Sequence, residues 1–235
     1  MTGGRAEAID GGVKLTVFIC PLAAVVLAAG TLRAQDGPPP LAPLPAVPGQ
    51  LRATSSAAPA DVVAAASAAV ASLGEEVVLG RYQVAIERMN PQWKERAANR
   101  MGSMEDLEKR LAGVARQMVQ QGISMISFKP QGPPRSYEVG PGKKVTKVNG
   151  EDVETLVFSK WLVMIPTVTK FRIIRQNEKP VIIESIGFQV AVSDKGKNDW
   201  TFIDGSGMSV NDLRGLYVNL PQDLQFPPLE KREVR

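Results

Sequence analysis

The chain has 235 residues, of which 44% are hydrophobic and 22% charged, and a net charge of +4. It contains no histidine and one cysteine, Cys20, which excludes Ser-His-Asp and Cys-His catalysis and the common imidazole metal sites. The densest basic cluster, Lys143, Lys144 and Lys147, sits in a Gly/Pro-rich turn and reads as a solvated loop, so nucleic acid is not an expected partner.

Lys14 precedes the apolar run LTVFICPLAAVVLAAG, which leads into TLRAQD. A basic residue, a short apolar stretch and a small-residue exit describe a secretory signal peptide over 1–34, cleaved after Ala34 or after Gly30. The other reading is a retained anchor, although the run is short for a span and is broken by Pro21. Val17, Phe18 and Ile19 before Cys20 do not make a lipoprotein signal. A cleaved chain would carry no thiol and would reside in the periplasm or outside the cell. Residues 35–60 are rich in proline, alanine and serine, too poor in large apolar groups to fold, and are expected to form an extended disordered linker. A proline-rich docking segment is the functional alternative.

From 61 onward the pattern is that of a folded domain, with its core at about 75–220. Asp61 is placed to cap an alanine-rich helix ending near Gly74. Val78, Tyr82, Ala85 and Met89 recur at helical spacing as a second helix. Asn90-Pro91 opens a short third helix as cap and first residue. Ser103 and Asp106 stand in capping-box spacing before a fourth, whose stripe is Leu107, Leu111, Val114 and Met118 and whose stop is Gly122. Tyr82 and Trp93 read as core aromatics, Trp93 with some exposure. The stripes need an apolar partner, and the strand-rich half that follows can supply it.

Strand signals begin with ISMISFK and RSYEV. Asn149-Gly150 is a tight-turn signal before the long run Glu154–Ile165. Pro166 is expected to end or bend that run, with Phe171–Gln176 as the next strand. After a turn at Asn177 to Lys179 comes the longest strand, in which Ile186, Phe188, Val190 and Val192 alternate with Gly187, Gln189, Ala191 and Ser193. Period two implies a half-buried antiparallel strand. Asp194 to Asn198 forms a hairpin turn, and Trp200 and Phe202 continue the alternation. Ser209 and Asp212 repeat the capping-box spacing before a short helix. The remaining prolines imply an extended tail across the domain and a solvated charged end.

Three charges share apolar faces by parity: Lys160 with Phe158 and Leu162, Arg172 with Ile174, and Glu184 with Ile182, Ile186 and Phe188. A charge there is costly unless paired or solvated. Glu184 could line a pocket as a carboxyl of raised pKa, or could be turned outward near the strand start or by a bulge.

Helices followed by a meander of long hairpin-linked strands, closing on DWTFIDG after SIGFQVAVSD, resemble the nuclear transport factor 2-like (cystatin-like) α+β roll over roughly 75–220. The fold class this implies is α+β, with N-terminal helices packed on a curved antiparallel sheet as a cone-like roll. The superfamily includes pocket enzymes such as ketosteroid isomerase and scytalone dehydratase and many non-catalytic domains, including exported bacterial ones. No catalytic signature carries over, and fold alone does not decide between these roles.

Two functions follow. The first is a non-catalytic exported domain that binds a small apolar ligand or an envelope protein through the concave sheet face, without a cofactor or metal. Its pocket candidates are Tyr82, Phe158, Trp161, Glu184, Phe188, Trp200 and Phe202. The second is an isomerase- or hydratase-type enzyme with Glu184 or Asp204 as base, disfavoured because nothing pairs with the base or supplies an oxyanion donor. A homodimer remains open.

Overall fold

The computed structural model describes residues 57–148, 151–175 and 178–234. The leader, the linker up to residue 56 and the Asn149-Gly150 turn lie outside the described residues, as do Gln176 and Asn177. Five α-helices and six strands are formed by the described residues. The class is α+β, with a strongly curled antiparallel sheet resembling a half-barrel and helices packed against it. None of the described helices is long and apolar enough to cross a membrane.

Helix α1 (Ala60–Val78) is longer than its alanine pattern suggests. Pro59 occupies the cap position without a side-chain cap, and Asp61 lies within the first turn instead. Gly74 does not stop the helix. A Cβ on it would stand 2.2 Å from Phe128 Cδ1, so the glycine lets α1 approach the first strand closely. The break comes at Gly80, with φ +81, so Val78 ends α1 and α2 covers only Tyr82–Glu87. In α3 (Pro91–Met101), Asn90 Oδ1 accepts from Trp93 N at 3.2 Å, as the Asn-Pro pair predicts. Trp93 itself is buried. In α4 (Met104–Gln120), Ser103 Oγ accepts from Asp106 N at 3.0 Å. The predicted stripe of α4 is buried, each such side chain contributing about 1.5–3 kcal/mol.

The strands are β1 (Ile123–Pro130), β2 (Arg135–Val148), β3 (Glu151–Ile173), β4 (Val181–Asp194), β5 (Thr201–Asp204) and β6 (Glu230–Val234). Pro166 neither ends nor divides β3, and the expected separate strand from Phe171 is its continuation. The reason is positional. Gln131 N donates to Pro166 O at 2.8 Å, so the N side of Pro166 faces the gap where β1 gives way to β2 along β3. No ladder donor is lost toward β4. One edge of β3 thus pairs with both β1 and β2, and the other pairs with β4. Since β4 reaches β3 only as far as Lys160, residues beyond it pair with β2 alone and form a two-stranded arm. Val145 and Leu156 are exposed on that arm.

Both faces of the sheet are covered. On one, Val163, Ile165 and Ala191 pack under Ala66, Val70 and Leu73 of α1, while Phe171 and Ile173 meet Val114 and Met118 of α4. On the other, Leu162, Met164, Phe188 and Val190 lie under the tail. There α5 (Val210–Leu216) begins in a complete Ser209/Asp212 capping box, and Tyr217, Leu220 and Leu224 follow across the sheet. The charged end is not a free solvated terminus. It forms β6 along the part of the β4 edge that β5 leaves unpaired, because Arg232 falls opposite Glu184 in register and an unpaired edge would be a liability.

Candidate functional site

A cavity of about 310 Å³ lies between α1, α2 and the sheet. Its apolar wall includes Leu73, Val77, Met125, Phe128, Phe188 and Phe202. Its floor is built by register. Thr167 opposes Gly187 and Thr169 opposes Ser185 across β3 and β4, and Gln189 opposes Asp204 across β4 and β5. Odd-numbered residues of β3 and β4 share the helix-covered face, and all six of these residues line the cavity. The floor is therefore made of small or polar side chains set into a face that is otherwise Val163, Ile165, Phe171 and Ala191. Gly187 is the clearest opening. A Cβ placed on it would find nothing nearer than Leu229 Cδ2 and Thr167 Oγ1, each at 3.9 Å. Leu229, Glu230 and Lys231 border the cavity from the C-terminal segment.

Thr167 and Thr169 are 4% and 8% exposed. Asp204 Oδ1 accepts from Ser206 N at 2.9 Å, which orients the carboxylate at the start of a short 3-10 turn. Ser206 Oγ is buried beside it with no hydrogen-bond partner among the described residues.

The seven sequence candidates separate in space. Phe188 and Phe202 line the cavity. Phe188 packs against Phe226 with ring centroids 4.9 Å apart and the rings tilted by 52°, and Arg88 lies 5.1 Å from the Phe202 ring centre. Tyr82, Trp161 and Trp200 belong to the packing under α1, outside the cavity lining. Lys195 Nζ lies 4.5 Å from the Trp161 ring centre, and burial raises the Tyr82 pKa. Phe158 opposes Pro141 at the base of the arm.

Glu184 departs furthest from expectation. It is buried but does not line the cavity. Its Oε1 accepts from Arg232 Nε at 2.9 Å and from Arg232 Nη2, and its Oε2 lies 3.4 Å from Lys170 Nζ. The hydrogen bond from Arg232 lowers its pKa, burial opposes this, and Lys170 lowers it further. The expected raised carboxyl is thus a lowered one, since two cations outweigh desolvation. Lys160 is likewise paired, with its register partner Asp194, whereas Arg172 is exposed. Among the described residues no cluster of three or more His, Cys, Asp or Glu side chains could hold a metal ion.

Sequence reasoning missed Thr167, Thr169, Ser185 and Gly187. Alternation in β4 marks Gly187, Gln189, Ala191 and Ser193 as the polar side of a half-buried strand, yet that side faces the helices. Smallness, not polarity, was the available signal, since a glycine within a buried strand often marks a close approach or a ligand.

The architecture is an α+β fold on a curled sheet with a partly open cavity beneath its helices. No protein-family model matches the chain, and no curated protein or solved structure is significantly similar to it.

Proposed function

We propose that this chain is an exported, non-catalytic binding domain of the nuclear transport factor 2-like roll type, which takes a small apolar ligand into the cavity beneath α1 and α2. The observation that carries the reading is the cavity itself. Its volume of about 310 Å³ lies within the range of ligand pockets, which are concave and apolar with a few convergent polar groups. The curled sheet with packed helices is compatible with the roll. Export is supported by the leader-like sequence of residues 1–34 and places the protein in the periplasm or outside the cell.

The test is a thermal-shift panel of uncharged aromatic and alicyclic molecules against the full chain and Gly187→Leu. The added side chain enters open space and occupies part of the cavity above the floor. Wild type should gain melting temperature with at least one compound, and the variant should not. Equal responses of the two proteins would sink the proposal.

A proton-transfer enzyme is the second reading, favoured by the single observation that Asp204 lines the cavity. Glu184 is not part of it, being held ionised by Arg232 and Lys170. Asp204→Asn would abolish any such turnover.

A further inference from the structure

Resting on that reading of the cavity, we infer that its ligand is an uncharged amphiphile carrying a hydroxyl or similar donor–acceptor group, seated on the floor formed by Thr167, Thr169, Ser185 and Gln189, and that carboxylates are rejected. Thr167 and Thr169 are both more than nine-tenths buried and line the cavity. Neither side chain makes a hydrogen bond to any of the described residues, and the same holds for Ser185 and Gln189. Their polar atoms are not among the fully buried ones without a partner, so they open onto the cavity, where water or a ligand group meets them. Here the open side of both threonines is the cavity, where Thr167 Oγ1 overhangs the bare Cα of Gly187. A group placed on that floor completes their hydrogen bonding.

The charges decide the class. Hydroxyls and a primary amide each donate and accept, so the floor suits a group that does both. The ionisable groups bordering the cavity are Asp204, Glu230 and Lys231, two acidic and one basic. Asp204 stands beside the floor through its pairing with Gln189. A ligand carboxylate would be desolvated where acidic groups outnumber basic ones, a cost that an uncharged hydroxyl does not meet. The surrounding Phe128, Phe171 and Phe202 supply apolar walls for a ring system.

The experiment compares three probes of one shape, naphthalene, 2-naphthol and 2-naphthoate, by calorimetric titration into the full chain and its Thr167→Val/Thr169→Val variant. 2-Naphthol should bind wild type about two- to tenfold more tightly than naphthalene, and 2-naphthoate most weakly. The variant should lose the preference for 2-naphthol and keep its affinity for naphthalene. Thr169→Val alone should show part of that loss. Naphthalene bound as tightly as 2-naphthol, 2-naphthoate bound as tightly as 2-naphthol, or a preference that survives in the variant would each overturn the inference while leaving an apolar binding cavity standing. No binding of any of the three would overturn both readings.

Discussion

At the scale of single residues, charges that parity places on apolar faces, Lys160 and Glu184, are paired across the sheet. Glu184, Asp194 and Asp212 all have lowered pKa values. For Asp194 the main cause is the hydrogen bond from Lys160. For Asp212, burial pushes up, but the hydrogen bonds from Ser209 and Arg100 together outweigh it. A carboxyl whose folded pKa is depressed contributes stability that is present above its ordinary value, 4.5 for Glu184 and 3.8 for the aspartates. That stability is lost as pH falls through the lower folded value. Urea midpoints should therefore fall on acidification below those values, modestly because the pairs are solvent-screened, and Glu184→Gln should flatten part of that acid limb while lowering the midpoint near neutrality. A variant with an unchanged acid limb would show that the Glu184–Arg232 pair contributes nothing. Backbone constraint is the second residue-scale effect. Gly122 ends α4 at φ +67, and a Cβ there would stand 2.1 Å from Ile174 O. Gly122→Ala should cost about 1–3 kcal/mol, read as a lower denaturation midpoint. A midpoint equal to wild type would contradict the close approach of these two segments.

At the scale of elements, the sequence made the helices legible and the sheet only partly so. Caps at Asn90, Ser103 and Ser209 and the α4 stripe are local chemistry, and all lie where their spacing puts them. Three features were decided by distant partners. Gly74 continues its helix because Phe128 leaves no room for a side chain. Pro166 sits inside β3 because its donorless side meets the gap between β1 and β2. The EKREV end is a strand because β4 leaves an edge open to it. None of these partners is adjacent in sequence. The arm yields the element-scale prediction. A two-stranded ribbon adds little stability by itself, and its outer residues are mostly exposed. Replacing Lys143–Glu154 with a two-residue turn should change stability by no more than about 0.5 kcal/mol, with the melting temperature as readout. A large drop would mean that the arm is part of the folded core. Removing residues 229–235 should do the opposite, lowering the melting temperature and raising binding of an apolar fluorescent dye, because it bares the β4 edge and one border of the cavity.

For the whole molecule, the two faces of the sheet have different tasks. The tail-covered face is continuous core from Leu162 to Leu224. The helix-covered face is filled above by α1 and below by α4. Between them the small residues Ser185 and Gly187 leave the space that Thr167, Thr169 and Gln189 floor. The general plan of helices on a curved meander could be read from the order of elements. The cavity could not, because it depends on which face of β4 the helices cover, and alternation alone does not choose between the two. Its aromatic walls were half found, in Phe188 and Phe202, since large apolar residues announce burial but not what they are buried against. The most direct measurement is a two-dimensional amide NMR titration of the isotopically labelled full chain with 2-naphthol. The account predicts saturable shifts concentrated at Leu73, Gly74, Thr167, Ser185 and Gly187, with the arm and the exposed side of α4 unmoved. Shifts confined to the arm or the protein surface, or no shifts at all, would contradict it.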